Sequence, residues 1–281
     1  MKKIRLIAGL ILLIIGSFDI SGQTYDHLAG FKGMKSVTTE SGIATPVTID
    51  VIYDNFICLK GTTADWGYSV VIEGLAQEVL FDTGTKPDLF ESNFRKIGID
   101  PATIDIMVLS HEHGDHTGGI SSFVKMKTGI PLIIPHSFTG SFLKQMVRLG
   151  LKPVLVDEPS MICDHLFTSG EFDYKIAEQS LILDTRKGLV VMTGCAHPGI
   201  NEMLKLIKED FNKNIYMVFG GFHLMNKTQK EMDEIISGMK SLGVVKCGAT
   251  HCSGDSQIEM FRKAFGDDYF ELGVGNKIVI Q

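Results

Sequence analysis

Six consecutive residues, His111-Glu112-His113-Gly114-Asp115-His116, place three imidazoles and two carboxylates directly behind the apolar run "IMVLS". Imidazole nitrogen and carboxylate oxygen are the donors that zinc, iron and manganese accept. At the end of a strand, positions i and i+2 point the same way, whereas i+4 and i+5 fall on the turn entering the next helix. One short loop therefore offers two groups of ligands to two neighbouring ions. Gly114, Gly118 and Gly119 relieve the sterics of so tight a turn. A solvated loop that is merely rich in histidine is the alternative. Six of the nine histidines, however, fall at apparent strand ends. His197 follows "VVMTGCA" and His251 follows "CGAT", with Cys195 two residues before the first and Cys252 directly after the second. Taken alone, each of these histidines reads equally well as a satisfied core residue. The cysteines read as small buried residues, as soft ligands or as redox-sensitive neighbours of a metal.

The elements needed to position these groups are legible as alternating hairpins and βα units. Strands are expected over 46–53, 66–74 and 77–84, the last two joined by a turn at Gly74, followed by a helix over 86–99 stopped near Gly98. Strand 104–110 then leads into the histidine loop. Strand 131–135, helix 137–150 and strand 153–159 follow. The second half opens with a hairpin over 178–194 turning at 186–188. Helices are expected at 199–210, 228–242 and 255–265, and strands at 215–219, 244–249 and 276–280. Hairpins at the start of each half, with βα units after them, predict two β-layers covered by outer helices. The fold class is α/β, a four-layer αββα sandwich in one domain rather than a doubly wound parallel sheet.

Composition narrows the partners. The 281 residues carry a net charge of −6 without long basic clusters, which argues against nucleic acid and leaves a small-molecule substrate. The five cysteines form no CxxC pair, so a structural zinc finger is not expected. Residues 1–22 have the layout of a bacterial secretory signal peptide: Lys2, Lys3 and Arg5, an apolar run from Leu6 to Ile15, then small residues. That run is short of the roughly 20 residues a spanning helix needs, so cleavage is favoured over an uncleaved anchor. The expected organisation is a leader over 1–22 and one domain over 23–281, exported to the periplasm without stable membrane association after cleavage.

"HEHGDH" matches the HxHxDH signature of the metallo-β-lactamase superfamily, and the resemblance extends over nearly the whole mature chain. It implies that His111, His113 and His197 bind a first metal and that Asp115, His116 and His251 bind a second. Zinc is the implied ion, in one or two copies, with iron or manganese as alternatives. Asp82, in "LFDTG", would orient a metal-binding histidine, and Cys195 would stand just behind the ligands; read alone, Asp82 is equally a turn residue. One departure stands out. Many superfamily members carry a metal-bridging aspartate at the end of the strand before the last histidine. Here "NIYMVFGGFHL" ends in Gly220-Gly221-Phe222-His223 with no acid, and Asp184 falls in the preceding hairpin. The second metal would then have one ligand fewer, so a mononuclear centre is an alternative, and His223 would face the cavity.

"TGCAHPGI", "GGFHL", "THCSG", "YDN" and "DWGYS" resemble the branch of archaeal dihydropterin–ribofuranosylaminobenzene 5′-phosphate synthases and their bacterial relatives. The leading expectation is a metal-dependent hydrolase that directs an activated water at an ester or phosphoester. Asp115 would hold or deprotonate that water, and His223 or His251 would protonate the leaving group. The alternatives are a transferase like that synthase, which the resemblance implies joins two substrates with release of pyrophosphate, and a non-catalytic metal-binding or redox-sensing protein. Trp66, Tyr68 and Asn55 are candidates for the substrate mouth, as are Glu178 and Gln179 just before the hairpin strand. Glu112, between two ligands that share a face, should point away from the metals.

Overall fold

In the four-layer arrangement, strands of both sheets are apolar on two faces because each sheet is covered on two sides. The computed structural model describes residues 14–20, 23–28, 30, 43 and 46–281. The first half contains β1 (Ile14–Ile20), β2 (Gln23–Leu28), β3 (Val47–Tyr53), β4 (Ser69–Glu73), β5 (Glu78–Phe81), β6 (Ile104–Val108), β7 (Pro131–Pro135) and β8 (Lys152–Val156). Between them lie α1 (Pro87–Ile97), α2 (Gly114–Thr117), α3 (Ile120–Met126) and α4 (Gly140–Arg148). The second half contains β9 (Ser160–Cys163), β10 (Leu166–Thr168), β11 (Leu181–Thr185), β12 (Gly188–Thr193), β13 (Ile215–Gly221) and β14 (Lys246–Thr250). Its helices are α5 (Ile200–Phe211), α6 (Gln229–Ser241) and α7 (Asp255–Phe265), and β15 (Lys277–Ile280) closes the chain.

One sheet has the order β1-β2-β8-β7-β6-β5-β4-β3-β15 and the other β14-β13-β12-β11-β10-β9. Ile106, Val108 and Val70 of the first sheet meet Val190, Met192 and Phe219 of the second in the central core. The alternate residues face outward. Met107 and Leu109 pack under Phe90, Phe94 and Phe123 of α1 and α3, and Leu189 and Val191 pack under Met203, Leu204 and Met232 of α5 and α6. Gly98 ends α1 at φ 86°, a left-handed position that fits glycine.

Two features differ from the sequence reading. β9 and β10 form an extra short hairpin after Pro159. The last strand, β15, returns to pair antiparallel with β3. Of the leader expected over residues 1–22, residues 1–13, 21 and 22 lie outside the described residues, and residues 14–20 form β1. β2 does not depend on β1 alone: it also pairs with β8, and His27 Nε2 lies 2.6 Å from Asp157 Oδ2 just beyond that strand.

Candidate metal centre

β5 and β6 run parallel, as do β12, β13 and β14, and the site is built where their carboxyl ends meet. Asp82 follows β5, and Ser110, His111 and His113 follow β6. Asp115 and His116 open α2. Cys195 and His197 follow β12, His223 follows β13 and His251 follows β14. The backbone is strained here: Asp82, Ala196, His223 and His251 have φ of 57°, 58°, 50° and 51°, left-handed values that non-glycine residues adopt only where surroundings impose them.

Two clusters result. His111 Nε2 lies 3.1 Å from His113 Nδ1 and 3.3 Å from His197 Nε2. Beside it, Asp115 Oδ2 lies 3.7 Å from His116 Nε2 and 3.3 Å from His251 Nε2. Each ring is pinned from behind. Ser110 donates its N–H to Asp82 Oδ1 and its hydroxyl to Asp82 Oδ2, both at 2.7 Å. Its oxygen is thereby left to accept from His111 Nδ1 at 2.9 Å, which puts the His111 lone pair on Nε2. His116 Nδ1 donates to Asp82 Oδ2 at 2.7 Å. His251 Nδ1 donates to Asn55 Oδ1 at 3.1 Å, and Asn55 Nδ2 donates back to the His251 carbonyl at 3.1 Å. The lone pairs of three imidazoles are thus aimed inward by groups that fix ring and tautomer together, the usual support for metal-binding histidines.

The backbone that carries Cys195 and His197 is held by one buried acid. Glu178 Oε1 accepts from the N–H groups of Cys195 and Ala196, each at 2.8 Å, and Oε2 accepts from that of His197 at 2.9 Å. At Gly194 a Cβ would lie 2.2 Å from Ser110 Oγ, so only glycine lets the β12 end close against the β6 end. Asp54 accepts the Thr250 hydroxyl at 2.7 Å and fixes the chain entering His251; burial pushes its carboxyl up to about 6. At the mouth, Trp66 donates Nε1–H to Asp115 Oδ2 at 2.8 Å and packs over the His251 ring.

Charge is distributed unevenly across the two clusters. Burial, then the neighbouring His116 and His197 rings, hold His111 well below the ordinary histidine value. Burial and the His223 ring bring His197 to about 3. Both are therefore neutral at physiological pH, the form that ligates a cation. Burial also opposes charge on His116, but the adjacent Asp82 carboxylate outweighs it and raises that ring to about 9. Burial would raise Asp115, yet His251 and His116 together keep it below the usual carboxylate range. Among the described residues, His251 Nε2 is a buried polar atom with no hydrogen-bond partner. That orphaned nitrogen, the neutral His111 and His197 rings and the ionised Asp115 make a donor set into which a divalent transition metal such as zinc fits.

The structure brings together His111, His113, His197, Asp115, His116 and His251, with Asp82 and Cys195 against them. His223 is exposed at the rim, its ring centroid 4.4 Å from that of His197. Asp184 stands apart, in β11, paired with Lys213. Glu112 turns away and accepts the N–H and hydroxyl of Thr139, the residue that caps α4, at 2.7 and 2.6 Å. Tyr68 is fully buried and does not shape the mouth, and Asn55 acts on His251 instead. Gly114 meets nothing within 4 Å of its Cβ direction, whereas Gly118 and Gly119 are required because Cβ atoms there would lie 2.0 Å from the Thr85 carbonyl and 2.2 Å from the Thr83 carbonyl. Ser110 is the functional position that sequence reasoning missed, and Glu178, a candidate for the mouth there, instead holds the backbone of residues 195–197. Their only signal was adjacency to a motif: Ser110 directly precedes His111, and Glu178 precedes the β11–β12 hairpin.

Glu178→Gln is expected to leave at least one buried backbone N–H without an acceptor, lowering stability by ~1–3 kcal/mol. Because His197 rides on that backbone, metal affinity is expected to fall by roughly 10–100-fold. Urea titration of the metal-free variant and competition with a chromophoric chelator measure the two effects separately. Unchanged affinity would show that Glu178 supports the fold alone.

The family profile described as the Metallo-beta-lactamase superfamily matches residues 63–200. The chain is 32% identical to the 7,8-dihydropterin-6-methyl-4-(beta-D-ribofuranosyl)-aminobenzene-5′-phosphate synthase of Methanocaldococcus jannaschii, with 75% of this chain and 89% of that protein covered. Among solved structures, a metal-dependent hydrolase of the beta-lactamase superfamily superposes with a TM-score of 0.70 at 28% identity, covering 83% of this chain and 98% of that one. Zinc-bound PqqB of Methylobacterium extorquens shares the fold at 10% identity, with a TM-score of 0.52 and coverage of 83% and 99%.

Proposed function

Because this chain belongs to the metallo-β-lactamase superfamily, we propose that it is a metal-dependent hydrolase of a small-molecule ester or phosphoester. The observation that carries the reading is the convergence of His111, His113 and His197 beside Asp115, His116 and His251, open to a cleft of about 370 Å³ that Tyr174, His197, His223 and Lys227 line. That volume suits a small molecule. Lys175 and Glu112 line the adjoining depression on the His113 side.

His111, His113 and His197 would hold one ion, and Asp115, His116 and His251 a second. Bound zinc would supply Lewis acidity and lower the pKa of a water to ~7. The remaining chemistry belongs to the chain. Asp115 stays ionised and, with one oxygen engaged by Trp66, orients the attacking water by accepting a hydrogen bond from it. His223 is raised above the ordinary histidine value by the Cys252 sulfur beside it, against the effect of burial. Exposed at the cleft rim, its ring centroid 4.4 Å from that of His197, it is placed to donate a proton to the leaving group. His251 is buried, with Nδ1 held by Asn55 and Nε2 turned to the metal position, so the role does not fall to it.

The 32% identity to the synthase across 89% of its length favours a second reading, a transferase that uses the same donor set. A panel of phosphodiesters, lactones and β-lactams, run beside a pyrophosphate-release assay with a dihydropterin that carries pyrophosphate as its leaving group and a phosphoribosyl arene, separates the two. Hydrolysis of an ester or phosphodiester is the expected result. Pyrophosphate release alone would replace the hydrolase reading with the transferase. Stoichiometric metal without turnover on either arm would favour a metal-holding or redox-sensing protein. Export is proposed from the leader pattern over residues 1–22. The exported chain is expected to have a new N-terminus near residue 22, and an intact N-terminus by mass spectrometry would refute that.

A further inference from the structure

The strand that lacks an acid ends at Gly221, and the space beside it is filled by sulfur. A Cβ at Gly221 would lie 2.3 Å from the Gly194 carbonyl, 2.8 Å from Cys252 Sγ and 3.1 Å from His251 Cδ2, so a side chain at this strand end would enter the volume that the β12 end and the thiol occupy. Cys252 Sγ in turn lies 3.1 Å from Cys195 Sγ. The Cys195 sulfur is the atom between the two clusters. It lies 3.2 Å from His116 Nε2. It belongs both to the group of Asp115, His116 and His251 and to the group of His111 and His197, whose ligand atoms all lie within 4.8 Å of one another. Its position is fixed on every side. Glu178 holds its N–H, Gly194 brings β12 against Ser110, and Ala196 follows in a left-handed conformation.

We infer that Cys195 is a metal ligand that bridges the two histidine clusters, taking the place of the carboxylate that the β13 end does not provide. The inference rests on the metal-centre reading above. A cation bound there displaces the thiol proton to solvent, and the resulting thiolate is soft, so the centre selects zinc, iron or cobalt over magnesium or manganese. Cys252, against both Cys195 and the His223 N–H, supports the bridging sulfur from behind. The missing strand-end acid is therefore a substitution of sulfur for oxygen rather than an incomplete second site.

Cobalt(II) titration of the full-length metal-free protein tests this without any substrate. The expected result is two cobalt ions per chain, with a thiolate-to-cobalt charge-transfer absorption that develops as they bind and with Cys195 protected from alkylation. Cys195→Ser should lose the absorption and bind its second ion roughly 10–100-fold more weakly, a loss taken from the scale of metal-site perturbations. Cys195→Asp should recover the second ion without the absorption. Thermal melts of both metal-free variants show whether they are folded. Two bound ions without charge transfer in the wild type, or charge transfer that survives in Cys195→Ser, would overturn the bridging role while leaving the metal centre standing. A Cys195–Cys252 disulfide in the metal-loaded protein would also overturn it. No cobalt bound to the folded wild type would overturn the metal centre itself and the inference with it.

Discussion

Alanine at both His111 and His113 is expected to strip the protein of tightly held metal at the first position and to lower turnover by roughly 10³-fold or more. The magnitude follows from what a bound metal contributes, several kcal/mol of charge stabilisation and an ionised water near neutrality, at about 1.4 kcal/mol per factor of ten. The two substitutions remove adjacent corners of one triangle, since His111 Nε2 faces both His113 Nδ1 and His197 Nε2, and leave only His197 and the Cys195 sulfur at that position. The fold should survive, because Asp82 still takes the Ser110 N–H and Glu178 still holds residues 195–197. His113 is exposed, and its loss costs little packing. Elemental analysis of the purified double variant, with a circular dichroism melt, checks both halves. Full metal retention would sink the assignment of these histidines as ligands.

That loop was readable from the chain because its chemistry is local: five donors in six residues, with i and i+2 on one side and i+4 and i+5 on the next turn. The frame was readable for the same reason. Continuous apolar runs in β6 and β12 and the Gly98 stop of α1 are short-range signals. What escaped depends on contacts distant in sequence. Asn55 reads as a mouth residue until it is seen to hold His251, 196 positions away. Glu178 likewise reads as a mouth candidate before a hairpin until its two oxygens meet three consecutive backbone N–H groups beyond β12. β15 continues the second half in sequence, yet its partner is β3, and no periodicity encodes a pairing of that range. β9 and β10, four and three residues long, are too short to display a period at all.

The missing strand-end acid shows the same limit from the other side. The absence at Gly220-Gly221 is plain in the sequence, and from sequence it predicts a weakened second site. The sulfur that fills the space comes from two other strand ends, after β12 and after β14. Neither Cys195 nor Cys252 is marked as a replacement by its neighbours in the chain. Only the convergence of three parallel strands makes them one.

Asp82→Asn is expected to have the other large effect, on stability and on its pH dependence. Asp82 is fully buried and accepts three hydrogen bonds, from the Ser110 N–H, the Ser110 hydroxyl and His116 Nδ1. Removing its charge leaves His116 as a buried ring without its counter-charge, a change that costs ~3–5 kcal/mol when one partner of a buried pair is lost. The sign of the pH effect follows from linkage. His116 stands at about 9 in the fold, against ~6.5 in the unfolded chain. The folded state therefore binds more protons between those values. Its contribution, of the order of 3 kcal/mol, is complete below ~6.5 and is lost as pH rises through about 9. His197 works in the opposite sense. At about 3 in the fold, it binds fewer protons than the unfolded chain, so its neutral state costs stability as pH falls from ~6.5. Metal-free wild type should accordingly be most stable near pH ~6.5, with both limbs present. In Asp82→Asn the acid limb should remain and the alkaline limb should flatten. Bound metal, which competes with the proton on His116, should flatten the same limb in the wild type. Urea midpoints at pH 6.5 and pH 9, in chelator and in zinc, decide the matter. An alkaline limb of equal size in wild type and variant would show that the Asp82–His116 pair does not set it.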